Sequence, residues 1–325
     1  MLSAFVPHAQ GLVRVEQPPL APIPADAVWI DLLEPTPEEE KHVERSLGVA
    51  IPTPEEMREI EASSRLYEED GVLYMTATIA TRFDADLPES AQVTFILADS
   101  RLVTNRYVDP LPFRRFIAHA QARPAACSSP AVVLAGLLEA IVNRMADVLE
   151  RVAGELDSVT ALVFSPPRPE RAGQRDFRGV LQRVGQNGEV ISKARESLVS
   201  LGRLLVFLQQ HAPNGRLTDE LRARLRTLSR DVIAMSDYAS FLNDKLQFVL
   251  DATLGMINID QNDILKIFSV VTVVLLPPSV IGAFYGMNFQ HMPWQHAPWG
   301  HWAALALMVA SAIIPYLLVK RRGWL

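Results

Sequence analysis

Hydrophobic and polar residues are unevenly distributed along the chain, and the C-terminal part differs most from the rest. Between Lys266 and Lys320 the sequence contains no Asp, Glu, Lys or Arg. Two apolar runs, 267–285 and 302–319, lie in this segment. At about 1.5 Å per residue, each run is long enough to cross a hydrocarbon core of about 30 Å. The pattern therefore predicts two membrane-spanning helices joined by a short loop.

The first third of the chain has the alternating and β-branched runs that are typical of strands in a small sheet. These runs cover residues 28–32, 72–81, 93–97 and 102–107. One helix start is also marked, because Thr36 can cap the amino end, Pro37 suits the first helical position and three glutamates follow. We therefore expect a mixed α+β domain at the front of the chain.

From residue 130 onward the apolar residues recur at spacings of three and four, which indicates helices. The pattern predicts helices over 131–164 and 177–211, separated by a proline-rich linker and paired as an antiparallel hairpin. A third helix begins near Thr218 and continues into the first apolar run without a Gly-Pro break. It would be about 100 Å long at about 1.5 Å per residue. Such a helix must pack against the hairpin or against copies of itself.

Composition and charge exclude several classes of function. The net charge of −6 argues against a nucleic-acid partner, since a phosphate-binding surface is normally basic. A single cysteine, Cys127, excludes an intramolecular disulfide framework and a Cys-cluster zinc site. The chain has neither a phosphate-binding Gly-x-x-x-x-Gly-Lys loop nor a His-Glu-x-x-His motif. We therefore expect neither an enzyme nor a bound cofactor.

The charges that flank the apolar runs predict the orientation in the membrane. Lys266 precedes the first run, and Lys320, Arg321 and Arg322 follow the second, whereas the loop 289–301 has no Lys or Arg. The first residues lack the basic and apolar regions of a signal peptide. The positive-inside rule then places both termini in the cytoplasm and the loop outside, in a multi-pass protein of the inner (plasma) membrane.

Small and hydroxyl residues follow one face of the first apolar run. Ser269, Thr272 and Ser279 recur at spacings of three and four. The same face includes Leu265, Leu276 and Ala283. We expect Val273 and Val280 on the opposite face. Such a stripe suits a narrow wet pore, but it equally suits close packing of helices through Ser and Thr.

The tripeptide Gly286-Met287-Asn288 ends the first apolar run at the predicted water boundary. Glycine permits a tight turn with exposed carbonyls, and Asn288 adds a side-chain oxygen. Mg²⁺ sheds its water reluctantly, so a ring of neutral oxygens could bind the ion through its hydration shell. The tripeptide is therefore a candidate ion entrance.

Three acidic residues recur every seven positions along the predicted third helix: Asp237, Asp244 and Asp251. Heptad spacing keeps them on nearly one face of a helix. They are candidate ligands of a regulatory divalent cation, and the alternative is a solvated helix face.

These residues resemble the CorA family of magnesium and cobalt transporters. The resemblance is dense from Ile257-Asn258-Ile259-Asp260 to the ending Lys-Arg-Arg-Gly-Trp-Leu, and it includes Tyr285-Gly286-Met287-Asn288-Phe289. It is looser over Trp29-Ile30-Asp31-Leu32. The members of this family are metal ion transporters with two membrane spans and a shared Gly-Met-Asn motif.

The resemblance implies a homopentameric funnel in which a cytosolic α+β domain continues through a long stalk helix into a pore-lining first span. It also implies passive uptake of hydrated Mg²⁺, with Co²⁺ and Ni²⁺, gated by intracellular divalent cation. Lys320, Arg321 and Arg322 would form a basic collar at the inner mouth. The implied segments are 1–125 (α/β domain), 126–212 (helical hairpin), 213–263 (stalk), 264–288 (first span), 289–301 (outer loop), 302–319 (second span) and 320–325 (basic C-terminus).

The outer loop departs from the family pattern. Trp294 follows Met292-Pro293, where the family usually carries a glutamate, and the loop instead contains His291, His296 and His301. Imidazoles suit zinc, nickel or cobalt better than magnesium, so a zinc- or cobalt-selective transporter is one alternative. The histidines could also belong to an aromatic belt with the loop tryptophans. A membrane-tethered cytosolic sensor is the alternative from a different class.

Overall fold

The computed structural model describes residues 1–9, 11–16, 20–83, 88–98, 100–122, 128–165, 176–212, 217–287, 293–294 and 297–322. These form two compact units, Met1–Leu250 and Asp251–Leu325. The strands are β1 (Leu2–His8), β2 (Gly11–Glu16), β3 (Trp29–Leu33), β4 (Leu66–Glu69), β5 (Val72–Thr81), β6 (Glu89–Leu97) and β7 (Leu102–Arg106). The helices are α1 (Pro37–Leu47), α2 (Pro54–Met57), α3 (Ala62–Arg65), α4 (Leu111–Ala120), α5 (Pro130–Phe164), α6 (Phe177–His211), α7 (Asp219–Tyr285) and α8 (Gly300–Arg321).

The seven strands form one mixed sheet in the first unit, in the order β2-β1-β3-β7-β6-β5-β4. Only the β3–β7 pair is parallel among the described strands, and Asp31 pairs with Thr104 in its register. The long antiparallel pair of β5 and β6 aligns Thr76 with Thr94, whose hydroxyls lie 2.8 Å apart. The predicted α+β architecture is therefore present.

An aromatic cluster fills the space between the sheet and α4. Trp29 stacks on Phe5 with ring centroids 4.2 Å apart, and the edge of its ring faces Phe116 at 5.8 Å. Phe113 also packs against Trp29, and both are fully buried. Since each large aromatic ring buries up to about 250 Å² of surface, this cluster is a main source of stability for the first unit.

Helix α1 begins as its sequence predicts. Thr36 accepts a hydrogen bond from the Glu39 amide at 3.3 Å, and the Glu39 carboxylate accepts one from the Thr36 amide at 2.9 Å. This reciprocal capping box satisfies two amides that the helix itself leaves unpaired.

The long helices α5 and α6 and the first part of α7 pack through seams with heptad spacing. Gly188 of α6 lies beside Leu246, and Gly202 lies beside Val232, so α6 and α7 run antiparallel. The ion pairs Glu139–Arg224 and Asp157–Lys245, the latter at 2.6 Å, lie in the same order along both helices, so α5 and α7 run parallel. The buried seam of α7 comprises Leu221, Leu225, Leu228, Val232, Ala239, Leu242, Leu246 and Val249. The three helices therefore form a bundle in which one side of α7 stays exposed.

The second unit consists of the end of α7 together with α8. Helix α7 stays helical through Pro277 and Pro278 as far as Tyr285. Proline cannot donate the backbone hydrogen bond of its position, yet the helix continues on both sides of the pair. Pro315 lies inside α8 in the same way.

Candidate ion pathway

Two helices of the structure are long and apolar enough to cross a membrane, namely the end of α7 and α8. They are the two runs that the uncharged segment of the sequence predicts. In contrast to the core of the first unit, their apolar side chains are largely exposed, as Phe268, Leu275 and Ile314 show. An apolar surface of this kind requires a lipid or protein environment.

Helix α7 packs against α8 along a single stripe. The two helices come close at Gly282, since a Cβ atom placed there would lie 3.1 Å from Cε of Met308. The partly or fully buried residues of α7 in this region are Val270, Val274, Pro277, Pro278, Ile281, Gly282 and Tyr285. Those of α8 are Ala303, Ala304, Met308, Ser311, Ala312, Pro315 and Val319. Small residues on both helices allow the backbones to approach.

The sequence interpretation missed Gly282, although a recognisable signal was present. Gly282 and Gly286 are four residues apart, which is the Gly-x-x-x-Gly spacing that often marks close packing in membrane helices. The structure uses Gly282 of this pair for the contact with α8, whereas Gly286 is exposed in the turn that follows.

The hydroxyl stripe lies on the side of α7 that faces away from α8. All six residues proposed to line a pore are exposed: Leu265, Ser269, Thr272, Leu276, Ser279 and Ala283. At about 100° per residue, the centre of this stripe is about 180° from the centre of the α8 contact. Within one chain, therefore, the stripe is not used for helix packing.

The three hydroxyl groups of the stripe donate to their own helix. Ser269 Oγ donates to the Leu265 carbonyl at 2.8 Å, Thr272 Oγ1 to that of Phe268 at 2.8 Å, and Ser279 Oγ to that of Leu275 at 2.7 Å. Because each proton points back to the backbone, each oxygen presents its lone pairs outward. The stripe is therefore a row of hydrogen-bond acceptors, which suits the water molecules around a cation.

The structure corrects the expectation for Val273 and Val280. Both are exposed, and both lie on the flank of α7, about 70° from the centre of the hydroxyl stripe, instead of opposite to it. The residues opposite to the stripe are Val274 and Ile281, which face α8. The error arose because spacings of three and four define one face but not the position of its opposite.

The predicted entrance begins where α7 ends. The Gly286 amide donates to the Gly282 carbonyl at 3.0 Å, and the Met287 amide donates to the Phe284 carbonyl at 3.3 Å. These two bonds hold Gly286 and Met287 in a turn directly after the last turn of α7. Gly286 and Met287 are exposed. Asn288 lies outside the described residues, so its place at this mouth stays a prediction.

Aromatic side chains surround the start of α8. Trp294, with a φ of 63°, packs against Trp299 at 5.9 Å between ring centroids. His301 lies beside Trp302 at 4.9 Å. His291 and His296 lie outside the described residues. An imidazole beside a tryptophan ring is an arrangement that an aromatic belt would contain, and the role of the loop histidines stays a prediction.

The candidate regulatory acids are exposed on α7. Asp237 and Asp244 lie off the buried heptad seam of the first unit, and Asp251 is exposed at the start of the second. Asp237 and Asp244 are seven positions apart, which is about 10.5 Å along a helix axis, too far for one ion to bind both. Among the described residues, no group of three or more His, Cys, Asp or Glu could hold a metal ion. Any shared site at these acids therefore needs ligands from a second copy of the chain.

The basic residues flank the spans as the sequence predicts. Lys320 and Arg321 form the last turn of α8, Arg322 caps it, and all three are exposed. At the other boundary, Lys266 forms an exposed ion pair with Asp263 at 3.0 Å. A positive C-terminal turn also complements the negative end of the α8 dipole.

The chain is similar to proteins of one known family over nearly its whole length. The model of the family described as "CorA-like Mg2+ transporter protein" matches residues 24–321. The magnesium transport protein CorA of Haemophilus influenzae is 32% identical over 326 residues, covering 100% of both chains. That of Escherichia coli K12 is 32% identical over 327 residues, also with full coverage.

Among solved structures, the fold is similar to that of the complete CorA magnesium transporter from Methanocaldococcus jannaschii. The TM-score is 0.78, with 20% identity, over 100% of this chain and 99% of the other. At this identity the likeness shows the fold: an α/β domain, a long helix and a C-terminal apolar helix.

Proposed function

The chain belongs to the CorA family, and we propose that it is a membrane transporter that carries hydrated divalent cations, above all Mg²⁺, passively into the cell through a homopentameric pore. The observation that supports this most directly is the position of the hydroxyl stripe. It is uncharged, it presents oxygen acceptors, and it faces away from the only other span among the described residues.

An oligomer follows from the number of spans. Two helices cannot enclose a pore, so several copies of α7 must surround a common axis. With α8 packed on one side of each α7, the opposite side, which carries Ser269, Thr272 and Ser279, is free to face that axis. The inner ring would then consist of the first spans and the outer ring of the second spans.

The proposed substrate is the hydrated ion, and no dehydration is required along this face. Mg²⁺ holds its water tightly and usually keeps several water molecules when it binds to protein. Water molecules on a cation point their protons outward, toward the lone pairs that the Ser269, Thr272 and Ser279 hydroxyls present. Leu276 and Ala283, on the same face, add apolar surface that does not bind the ion and so lets it pass.

The entrance is proposed to be Gly286, Met287 and Asn288. Five copies of the exposed turn would place backbone carbonyls and amide oxygens in a ring above the stripe. Such neutral oxygens can select a hydrated cation by the size of its shell. The lack of acidic groups in the outer loop leaves this ring as the main cation-binding element there.

The membrane potential supplies the driving force in this proposal. A divalent cation that moves inward through 100 mV gains about twice 2.3 kcal/mol, so no ATP is needed. Both termini would lie in the cytoplasm, and the basic collar of Lys320, Arg321 and Arg322 would surround the inner mouth.

Gating is proposed to use Asp237, Asp244 and Asp251 between subunits. Carboxylates that are held close together repel each other, and a bound cation relieves the repulsion. Intracellular Mg²⁺ would therefore favour a tight closed arrangement, and its loss would allow the stalk helices to separate. The cation would be both substrate and regulatory ligand.

The experiment that tests the function is flux into liposomes that contain the purified protein, with a fluorescent Mg²⁺ indicator inside and an imposed inside-negative potential. We expect Mg²⁺ entry that increases with the potential and competition by Co²⁺ and Ni²⁺. Empty liposomes are the control. Absence of flux from a monomeric protein would contradict the proposal and favour the tethered sensor. Stronger flux of Zn²⁺ than of Mg²⁺ would favour the zinc-selective alternative that the loop histidines suggest.

A further inference from the structure

A cavity of about 330 Å³ lies in the first unit, between β5 and α6 and beside the short helix α3. This volume falls at the lower end of the range for small-molecule sites in proteins, which is about 300–1,000 Å³. Three arginines line it, Arg65, Arg195 and Arg203, against one carboxylate, that of Glu196. None of these residues belongs to the proposed ion pathway.

The single carboxylate of the cavity is already engaged. Ser90 Oγ donates to Glu196 Oε2 at 2.8 Å, and Lys193 Nζ lies 3.8 Å from the same oxygen. By contrast, neither Arg195 nor Arg203 is in an ion pair with any residue that the structure describes. The cavity therefore has an excess of positive charge.

Arg65 is the most enclosed of the three arginines. Its Nη2 donates to Thr78 Oγ1 at 2.7 Å, but its Nε is buried without a hydrogen-bond partner in the described part of the chain. Burial lowers the pKa of Arg65, Glu196 opposes this effect, and the charge of Arg203 adds to it. Arg65 has no ion-pair partner among the described residues, so an anion in the cavity would stabilise its charged form.

The other lining groups indicate what kind of anion would fit. Ser200 Oγ accepts a hydrogen bond from the Thr78 amide at 2.9 Å, which leaves its proton available to a ligand. Guanidinium and hydroxyl donors together suit the oxygens of phosphate. Ile60, Leu66 and Val199 supply apolar surface on the same cavity. A ligand that combines a phosphate group with an organic part would use both.

We propose that this cavity binds a small organic phosphate of the nucleotide class. The phosphate, which carries about −1.5 to −2 charges at pH 7, would lie among Arg65, Arg195 and Arg203. The organic part would contact Val199 and Ile60. The site shares no residue with the proposed ion pathway, so ligand binding in this cavity can be tested independently of transport.

The test is titration calorimetry of the full-length protein in detergent with AMP, inorganic phosphate and adenosine. EDTA is present throughout, so that metal chelation makes no contribution to the heat. We expect AMP to bind more tightly than inorganic phosphate, and adenosine not to bind. The double variant Arg195→Gln, Arg203→Gln should bind AMP about a hundredfold more weakly, at about tenfold per charge-assisted contact.

Arg178→Gln is the matched control, because Arg178 is an exposed arginine of the same helix outside the cavity. It should leave the affinity for AMP unchanged. Both exposed arginines of the double variant can be replaced without loss of an ion pair, and a circular dichroism spectrum like that of the wild type verifies folding. Absence of AMP binding, or equal binding by the double variant and the control, would overturn the proposal. Equal affinity for AMP and for inorganic phosphate would show that the organic part makes no contribution and would overturn the proposal of an organic ligand.

Discussion

Asp31 and Arg106 form a bidentate ion pair inside the first unit. Arg106 Nε donates to Asp31 Oδ1 at 3.0 Å and Nη2 donates to Oδ2 at 2.7 Å, with both side chains at most 5% exposed. Thr104 Oγ1 donates to Asp31 Oδ1 at 2.7 Å, and Arg106 Nη1 donates to Asp109 at 2.8 Å. Burial opposes the charge of Arg106, but its bonds to Asp31 and Asp109 outweigh burial and raise its pKa.

The first prediction concerns this pair. Arg106→Ala would leave the Asp31 carboxylate buried without its partner, which typically costs about 3–5 kcal/mol. We expect the free energy of unfolding in urea, followed by tryptophan fluorescence because Trp29 donates to Thr104 beside the pair, to fall by that amount.

The control for this prediction is Arg82→Ala, which removes the exposed Arg82–Glu89 pair at 2.9 Å. With both side chains more than half exposed, its loss should cost no more than about 1 kcal/mol. Equal losses in the two variants would show that the buried pair has no special role in stability.

A second prediction tests the entrance. Asn288→Ala should abolish Mg²⁺ uptake in the liposome assay, because the ring would lose its side-chain oxygens, while the oligomer keeps its size in gel filtration. Gln290→Ala, in the same loop, is the control and should transport normally. Wild-type flux in Asn288→Ala would remove this residue from the entrance.

A third prediction tests which side of α7 is accessible to water. Single cysteines at Ser269, Thr272, Leu276 and Ser279 should react with aqueous thiol reagents, in a background in which Cys127 is replaced by Ala. Cysteines at Val274 and Ile281 should not react, because these positions face α8. Equal protection of both sets would favour packing between copies of α7 over a pore.

The fourth prediction concerns gating. Replacement of Asp237, Asp244 and Asp251 by Asn should weaken inhibition by internal Mg²⁺ without abolishing transport, since the pore itself is unchanged. Flux is measured against internal Mg²⁺ concentration. Asp231→Asn, an exposed acid of the same helix outside the heptad line, should behave like the wild type. Inhibition of the triple variant at the wild-type concentration would show that these acids are only a solvated face.

The long helices could be predicted from the sequence more fully than the sheet, whereas the short helices α2, α3 and α4 were not predicted. The helices expected over 131–164 and 177–211 agree with α5 and α6 within one residue, because proline-rich or glycine-containing segments bound a single uninterrupted period. The strands β1, β2 and β4 were not predicted. Leu2–His8 contains Pro7 and ends in a polar residue, so its pairing with β3 depends on tertiary contacts that local pattern does not encode.

The candidate pathway could be predicted only in part. The hydroxyl stripe was visible because three polar residues repeat on an apolar helix. The orientation of this stripe relative to α8 could not be predicted, because both sides of α7 are apolar. The contact between the helices depends on the fit of Met308 against Gly282. A helical period identifies a face, whereas packing decides what that face contacts.

The uncharged character of the segment between Lys266 and Lys320 has a further consequence for energy coupling. Transporters that exchange a cation for protons need a group at membrane depth that binds and releases a proton near neutral pH, usually Asp, Glu or His. The stripe from Leu265 to Ala283 contains only hydroxyl and aliphatic side chains, and none of them titrates in that range. Proton antiport therefore has no carrier on this face, and transport along it should respond to voltage and not to a pH gradient.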